Sequence, residues 1–516
     1  MAKLSTYPIC EGFCLRDRII KGGGALGARQ VISLPLNALG TGIAANLLNP
    51  DDFGVFAILL VLINLSFFIV DLGTSYALVQ SPVEPSSKLL RTVQRYKLIG
   101  FVICLLGYSL IAPFLVTYYH LSQWTAYLFV SCCIIGWLQS QRNYLSFRLQ
   151  RQLLWSKIAA IEMAEILGYN TVLIGTAYFF RNPSCFVLGF AARWCIGSIL
   201  IMRIKMSSRQ SEKNKAGSFK HLVRFGLPMQ STSVVSMVKD AVNPVVVGSV
   251  AGLYAVGMIN WSVYVTSLPR LPIRPFPLFL FSVVAKRNRE GKSDDQYLET
   301  CAYLGVLGIA FLSLLLVLIL DDLVPLLFGQ KWVPAIPIAS ILLLTNATFI
   351  PSLIMTAFLN AKGHSSANLM LSIIWAITSW IFAVGGIIIL GVLGYAVGIV
   401  LASMLGLVIQ CKITQKLTGL SINFTYVFII MGCGILSFLL AEVAENSFSI
   451  VNPYLNLFAK FFVGILTMTL AVILFQGKQI KKDIQDAVSL IGRWTLWNIL
   501  RSIWTNKPVK GHSHVK

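Results

Sequence analysis

Ten charged side chains interrupt the long apolar stretches of this chain: Arg29, Asp71, Arg142, Glu162, Glu165, Arg193, Lys239, Asp240, Arg270 and Arg274. A charge held at membrane depth is costly unless it is paired or faces water, so each is a candidate functional residue. Arg29, Lys239, Arg193, Arg270 and Arg274 are candidates for binding an anionic substrate. Asp71, Glu162, Glu165 and Asp240 are candidates for taking up a coupling proton or Na⁺. The chemistry is electrostatic capture and release; no catalytic residue, metal ligand or cofactor site is assigned.

Each charge also has a plainer reading. Arg142, Arg270 and Arg274 lie near enough to an inner boundary to snorkel. Glu162 and Glu165 share one helix face and can neutralise Arg193 on a neighbouring helix. Asp71 can cap a polar turn at Gly73-Thr74-Ser75. Lys239 and Asp240 point about 100° apart on a helix and are not expected to pair with each other. Arg29 and Lys239, several residues from any boundary, are the hardest to explain by structure alone.

The elements that position these charges are apolar runs of roughly 20 residues, each able to cross a ~30 Å hydrocarbon layer as a helix. Fourteen are expected, at 23–47, 54–79, 97–119, 124–147, 158–180, 184–203, 222–248, 253–284, 297–320, 335–360, 366–390, 392–411, 424–444 and 454–475. Of the 42 Lys and Arg residues, 32 fall in the N-terminal segment, every second gap and the tail, Lys88, Arg91, Arg95 and Lys97 among them. Arg181 and Lys331 alone lie on the opposite side. Retained cations mark the cytoplasmic side, which places both termini there and the protein in a bacterial inner membrane.

With 56% apolar and 12% charged residues the chain is a polytopic membrane protein, and its net charge of +22 reflects topology and anionic lipid, not nucleic acid. No cleavable signal pattern is read at the N-terminus. Most of the 10 cysteines lie in or beside apolar spans, where they pack as small hydrophobes. Cys10 and Cys14 lack a nearby His to complete a metal site, and no disulfide framework is expected.

A Ser-, Lys- and Gly-rich segment, 205–221, divides the first twelve spans into six and six. Each half opens with a small-residue-rich helix, a tight turn and an aromatic–small pair, which suggests two homologous bundles. The expected fold is all-α: an N-terminal bundle over 23–204, a C-terminal bundle over 222–416, and two additional helices over 424–475. Segment 1–22 is cytoplasmic. In the tail, 476–516, Trp494, Trp497 and Trp504 share an apolar face flanked by Lys481, Lys482, Arg493 and Arg501, as in an interfacial helix. The two bundles would enclose a wet, positively biased central cavity, attractive to a phosphate-bearing or acidic saccharide headgroup whose lipid tail stays in the bilayer.

Several separated motifs carry a family resemblance. Leu48-Asn49-Pro50-Asp51-Asp52-Phe53-Gly54 and Asp71-Leu72-Gly73-Thr74-Ser75-Tyr76-Ala77-Leu78-Val79-Gln80 resemble elements of Wzx-type polysaccharide flippases, of the multidrug/oligosaccharidyl-lipid/polysaccharide exporter superfamily. Phe225-Gly226-Leu227-Pro228 and Leu326-Leu327-Phe328-Gly329-Gln330-Lys331-Trp332-Val333-Pro334-Ala335 agree, over roughly residues 20–475. The resemblance implies transport, not catalysis: an undecaprenyl-linked oligosaccharide or exopolysaccharide unit moved from the cytoplasmic to the outer leaflet. It also implies glycosyltransferases and a polymerase as pathway partners. Asp71, Phe53-Gly54 and Trp332-Pro334 carry over by motif, whereas the intramembrane cations do not.

A cation-coupled multidrug or small-molecule exporter of the same superfamily is the alternative. A membrane glycosyltransferase or polymerase fits less well, because the external loops are short and Asp321-Asp322 has no loop beside it. A P-loop pump is excluded by the lack of its motif. Deleting residues 479–516 is expected to weaken membrane-surface docking more than transport, measured as fractionation against surface polysaccharide; loss of export at normal protein level would contradict this.

Overall fold

The computed structural model describes residues 10–80, 85–204, 219–273, 295–419, 425–447, 459–470 and 473. The described residues are almost wholly helical. Among the described residues, eight helices are long and apolar enough to cross a membrane, or nine if the bent pair Gln330–Leu343 and Thr345–Asn360 forms one span. The candidate spans Ser233–Leu271 and Ser366–Thr418 each hold two of the expected stretches, divided at Gly252 and Gly391. The expected tail helix lies outside the described residues, and of the last expected span the helix Ala459–Leu470 is described.

Helix α1 spans Cys10–Leu47 and α2 spans Pro50–Asp71. The turn between them follows from its residues. Pro50 sits at the first helical position, where its missing N–H costs nothing, and the Asp52 carboxylate accepts from the Asn49 N–H at 2.8 Å. Asp51 and Asp52 also suit the positive end of the helix dipole. At its other end α2 breaks at Leu72 and Gly73, both at positive φ, and the short helix α3, Thr74–Gln80, follows.

Four further helices complete the first half: α4 Ser87–Tyr118, α5 Thr125–Arg151, α6 Trp155–Phe180 and α7 Ser184–Arg203. Ser86 caps α4 by accepting from the Leu89 N–H at 3.2 Å. This helix therefore starts ten residues before its expected apolar span. Its buried stripe runs Leu89, Val93, Lys97, Gly100, Cys104, Tyr108, at steps of four, four, three, four and four. Lys97 thus lies on the packed face of a helix interior and not in a cytoplasmic loop.

Beyond the linker come α8, Phe219–Asp240, and α9, Gly248–Ser267, joined through a π-turn at Asn243–Val247. The chain continues with α10 Asp295–Leu327, α11 Ile336–Leu343, α12 Thr345–Ala361, α13 Ser365–Thr418 and α14 Thr425–Ser447. Long α13 is two helices folded back at Gly391, whose φ of 63° and ψ of −144° few other residues adopt.

The helices pack into two compact units. One contains Met1–Pro275, Leu320–Leu343 and Ser365–Gly406. Within it α2 packs closely on α9: a Cβ added at Gly257 would lie 1.8 Å from the Pro50 carbonyl oxygen, and one at Gly54 would lie 2.2 Å from that of Leu253. Beside this contact Trp332 is fully buried, donates from Nε1 to the Ala45 carbonyl at 2.9 Å and meets the Phe53 ring edge-on at 5.0 Å. Trp261 stacks on Trp332 at 5.4 Å. The Phe53-Gly54 and Trp332 motifs, 278 positions apart in sequence, form one aromatic seam.

The other unit contains Phe276–Ile319, Leu344–His364 and Leu407–Lys516. Polar bonds between its helices include Asn346 to Ser313 at 2.9 Å and Gln410 to the Ser352 carbonyl at 3.1 Å. The Tyr303 and Tyr426 rings meet edge-on at 5.2 Å. Lys460 reaches the Glu442 carboxylate at 3.6 Å.

Gly257→Val is expected to prevent accumulation in the membrane fraction, because two helix backbones must separate. Gly252→Ala is expected to accumulate with reduced thermal stability, since Gly252 has φ of 78° but open space around it. Immunoblotting and detergent-solubilised melting curves check both.

Candidate functional site

Five of the charged residues picked out by sequence converge in the first half. Arg142 of α5 makes a bidentate contact with Glu165 of α6, Nε to Oε1 at 2.6 Å and Nη2 to Oε2 at 3.2 Å. Its Nη2 is also 3.6 Å from Glu162 Oε1. Arg29 of α1 pairs with the other oxygen of Glu162 and donates to Gln30 Oε1 at 3.1 Å. Glu165 reaches its place because position 197 is glycine: a Cβ there would lie 1.9 Å from Glu165 Oε1.

Arg193 of α7 is the fifth member. It lies within electrostatic reach of Glu165 and Arg142, and its guanidinium sits 4.8 Å over the Trp194 ring. Its buried Nε has no hydrogen-bond partner among the described residues, and neither do the buried donors Trp194 Nε1, Ser198 Oγ and Gln30 Nε2. Glu162 and Glu165 do not simply neutralise Arg193; each carboxylate is engaged by Arg29 or Arg142. Among the described residues, three guanidiniums meet two carboxylates in this cluster.

Exposure is graded across the cluster. The side chains of Glu165 and Arg142 are 1% and 7% exposed, whereas those of Arg29 and Glu162 are each 24% exposed. A rigid inner pair therefore supports an accessible outer pair. Arg142 is held by ion pairs and does not extend to the boundary, contrary to its plainer reading, because Glu165 lies directly opposite on the adjoining helix.

A second network is closed. Asp71 accepts from Lys97 Nζ at 2.8 Å, from Ser75 Oγ at 2.5 Å and from Ser140 Oγ at 3.0 Å. It also accepts from the Ser75 N–H at 3.3 Å, so it caps the turn at Gly73-Thr74-Ser75 as its plainer reading had it. Lys97 completes its own set with the Ser140 carbonyl at 3.1 Å and Ser75 Oγ at 3.2 Å. At 1% and 0% exposure, this pair ties α2, α3, α4 and α5 together at the helix break. Lys97 was missed by sequence sorting, although its place on the Leu89-Val93-Gly100-Cys104 stripe was a signal.

The remaining candidates lie apart. Lys239 and Asp240 do pair, at 2.5 Å, contrary to expectation. The 100° between their Cα–Cβ vectors constrains stiff side chains; the four-carbon lysine stem bends around the end of α8. Lys239 also lies 4.6 Å over the Trp375 ring, and Asp240 is largely exposed. Arg270 is half-buried in the 3-10 turn Leu268–Ile273 that follows α9. Arg274 lies outside the described residues.

A family model described as polysaccharide biosynthesis protein matches residues 43–337, more than half of the chain. The chain belongs to this family. It is 24% identical over 347 residues to the lipopolysaccharide biosynthesis protein WzxC of Escherichia coli K12, covering 64% of this chain and 67% of that protein. It is 23% identical over 320 residues to an uncharacterized membrane protein in the cps region of Klebsiella pneumoniae, covering 59% of this chain and 63% of that one, less than two thirds of its length.

Among solved structures, the inward closed conformation of the lipid II flippase MurJ superposes with a TM-score of 0.68 at 11% identity, covering 88% of this chain and 99% of that chain. An inward-facing multidrug resistance MATE family transporter of the MOP superfamily gives 0.57 at 16% identity, covering 78% and 98%. At these identities the likeness establishes the fold alone, that of a multi-pass, all-helical membrane protein.

Lys97→Met is expected to cost about 3–5 kcal/mol, because it leaves a buried carboxylate unpaired. The double variant Lys97→Met/Asp71→Leu should recover a large part of that loss. Melting of the purified protein measures both; equal stability of Lys97→Met and wild type would contradict the assignment.

Proposed function

We propose that this protein is an inner-membrane flippase that carries a lipid-linked oligosaccharide, of the undecaprenyl-linked type, from the cytoplasmic to the outer leaflet. The observation that carries the reading is Arg193, which sits beside the Arg142–Glu165 pair with its buried Nε unpartnered and no ion pair of its own among the described residues. A phosphate or pyrophosphate bridging lipid and glycan is an anion that must enter a low-dielectric region, and a preformed cation there offsets its lost hydration. The rigid fork of arginine suits phosphate oxygens in pairs, which a lysine does not. Arg193, with its free Nε and neighbouring unpartnered donors, is the assigned anion-binding residue, and Arg29 sits at the accessible end of the same cluster. The family membership and the lipopolysaccharide and cps relatives agree with a role in surface polysaccharide export.

The mechanism follows from competition for the arginines. An incoming phosphate competes with Glu162, the half-accessible carboxylate, for Arg29. Glu162 then becomes the carboxylate with the weakest countercharge and the natural uptake point for a coupling proton or Na⁺. Asp71, with its acceptor positions filled by Lys97, Ser75 and Ser140, is assigned a structural part. Release on the far side restores the Arg29–Glu162 pair. Alternating access uses bends already built into the chain, at Gly252, Gly391 and the Leu72-Gly73 break.

Complementation of a strain lacking the protein provides the test. Arg193→Gln at normal membrane level is expected to lower surface polysaccharide at least tenfold and to accumulate lipid-linked oligosaccharide on the cytoplasmic leaflet. Normal polysaccharide in this variant overturns the reading.

A further inference from the structure

A cavity lined by residues other than those of the charged cluster lies among α2, α5 and α8. Its volume is about 310 Å³, and its polar lining comprises Asn64, Gln139, Gln230, Ser233, Ser236 and Asp240. Gln230 is the telling residue. It is 2% exposed, and both its amide nitrogen and its amide oxygen lack a hydrogen-bond partner among the described residues. A buried carboxamide with neither its donors nor its acceptor used is unfavourable, and here it lines a space that a ligand can enter. Asn64, Ser233 and Ser236 are exposed on apolar or spanning helices, where polar groups face a wet cavity in preference to lipid.

The lining selects among ligand classes. A small cation would engage only carboxamide and hydroxyl oxygens and leave the Gln230 N–H donors without a partner, and the one carboxylate, Asp240, is already held by Lys239 at 2.5 Å. No group of three or more His, Cys, Asp or Glu suited to a metal occurs among the described residues. A lipid chain would leave Gln230 unsatisfied. A sugar ring satisfies every feature: its hydroxyl or acetamido groups both donate and accept, matching carboxamides and serine hydroxyls. Its C–H faces match Phe67 and Phe68, which line the same space. The volume lies at the lower end of the range for small-molecule sites, about 300–1,000 Å³.

We infer that this cavity is a saccharide subsite, in which Gln230, Gln139 and Asn64 bind an uncharged sugar of the transported glycan while the arginine cluster takes the phosphate. The inference rests on the proposed transport of a lipid-linked glycan and adds a specificity site to it. Discrimination among glycans follows, because a carboxamide left unpaired by the wrong sugar costs more than a lost apolar contact.

The full chain in lipid nanodiscs is titrated with two probes. One is the oligosaccharide pool released by mild acid from the host's polyprenyl-linked intermediates and labelled with a fluorophore; the other is farnesyl pyrophosphate. Gln230→Leu and Gln139→Leu are each expected to weaken oligosaccharide binding at least tenfold and to leave farnesyl pyrophosphate binding within twofold. Either variant alone suffices if the other fails to fold by size-exclusion chromatography; failure of both is met by Gln230→Asn, expected to fold and to weaken oligosaccharide binding at least threefold. Wild-type affinity in the folded variants, or no oligosaccharide binding by the wild type, overturns the subsite. A Na⁺-dependent thermal shift abolished by Gln230→Leu, with glycan binding unchanged, also overturns it. Failure of the wild type to bind farnesyl pyrophosphate instead counts against the lipid-linked reading, which separates the two.

Discussion

A charge buried among helices must find an opposite charge, and that requirement organises the first half of this protein. The effective penalty for dehydrating an ion is several kcal/mol, so Lys97 and Asp71, or Arg142 and Glu165, are tolerable only as pairs with their remaining hydrogen bonds filled. The pairs in turn fix which helices adjoin. Asp71, Lys97 and Ser140 bring α2, α4 and α5 to one point, at the place where α2 breaks into α3. Arg142 with Glu165 joins α5 to α6, and Arg29 with Glu162 joins α1 to α6. Among the described residues, Arg193 is left without an ion pair of its own. The same rule that makes the framework rigid therefore defines where an anion is wanted.

The apolar contacts supply the complementary part. Close approach of α2 and α9 at Gly54 and Gly257, and the seam of Phe53, Trp261 and Trp332, join distant motifs without any charge. Small residues let backbones meet, as in other membrane helix packings, because lipid gives no hydrophobic drive for helices to associate. Charged pairs and glycine contacts do different work: the first fix register, whereas the second set the distance between helices.

Much of this was legible in the sequence, for identifiable reasons. Apolar runs and tight turns reveal helices, so the Asn49-Pro50 turn and the breaks at Gly252 and Gly391 follow from residue type. The set of intramembrane charges was legible too, since Arg29, Arg142, Glu162, Glu165 and Arg193 stand out against apolar neighbours. Their pairing was not, because it depends on which helices adjoin. Lys97 was misplaced because an apolar window cannot see that α4 begins at a serine cap ten residues earlier. Lys239 and Asp240 were kept apart by a rule about Cβ directions that long side chains escape. Gln230 is silent in the sequence, since an uncharged amide in a helix carries no signal until its surroundings are known.

The central claim is that the Arg193 guanidinium makes the protein prefer an anionic lipid headgroup. The most direct measurement compares binding of farnesyl pyrophosphate and uncharged farnesol to the full chain in nanodiscs, for wild type and Arg193→Gln. The account predicts at least a tenfold preference for the pyrophosphate in the wild type, largely lost in the variant. Equal binding of the two lipids by the wild type, or an undiminished preference in Arg193→Gln, would contradict it.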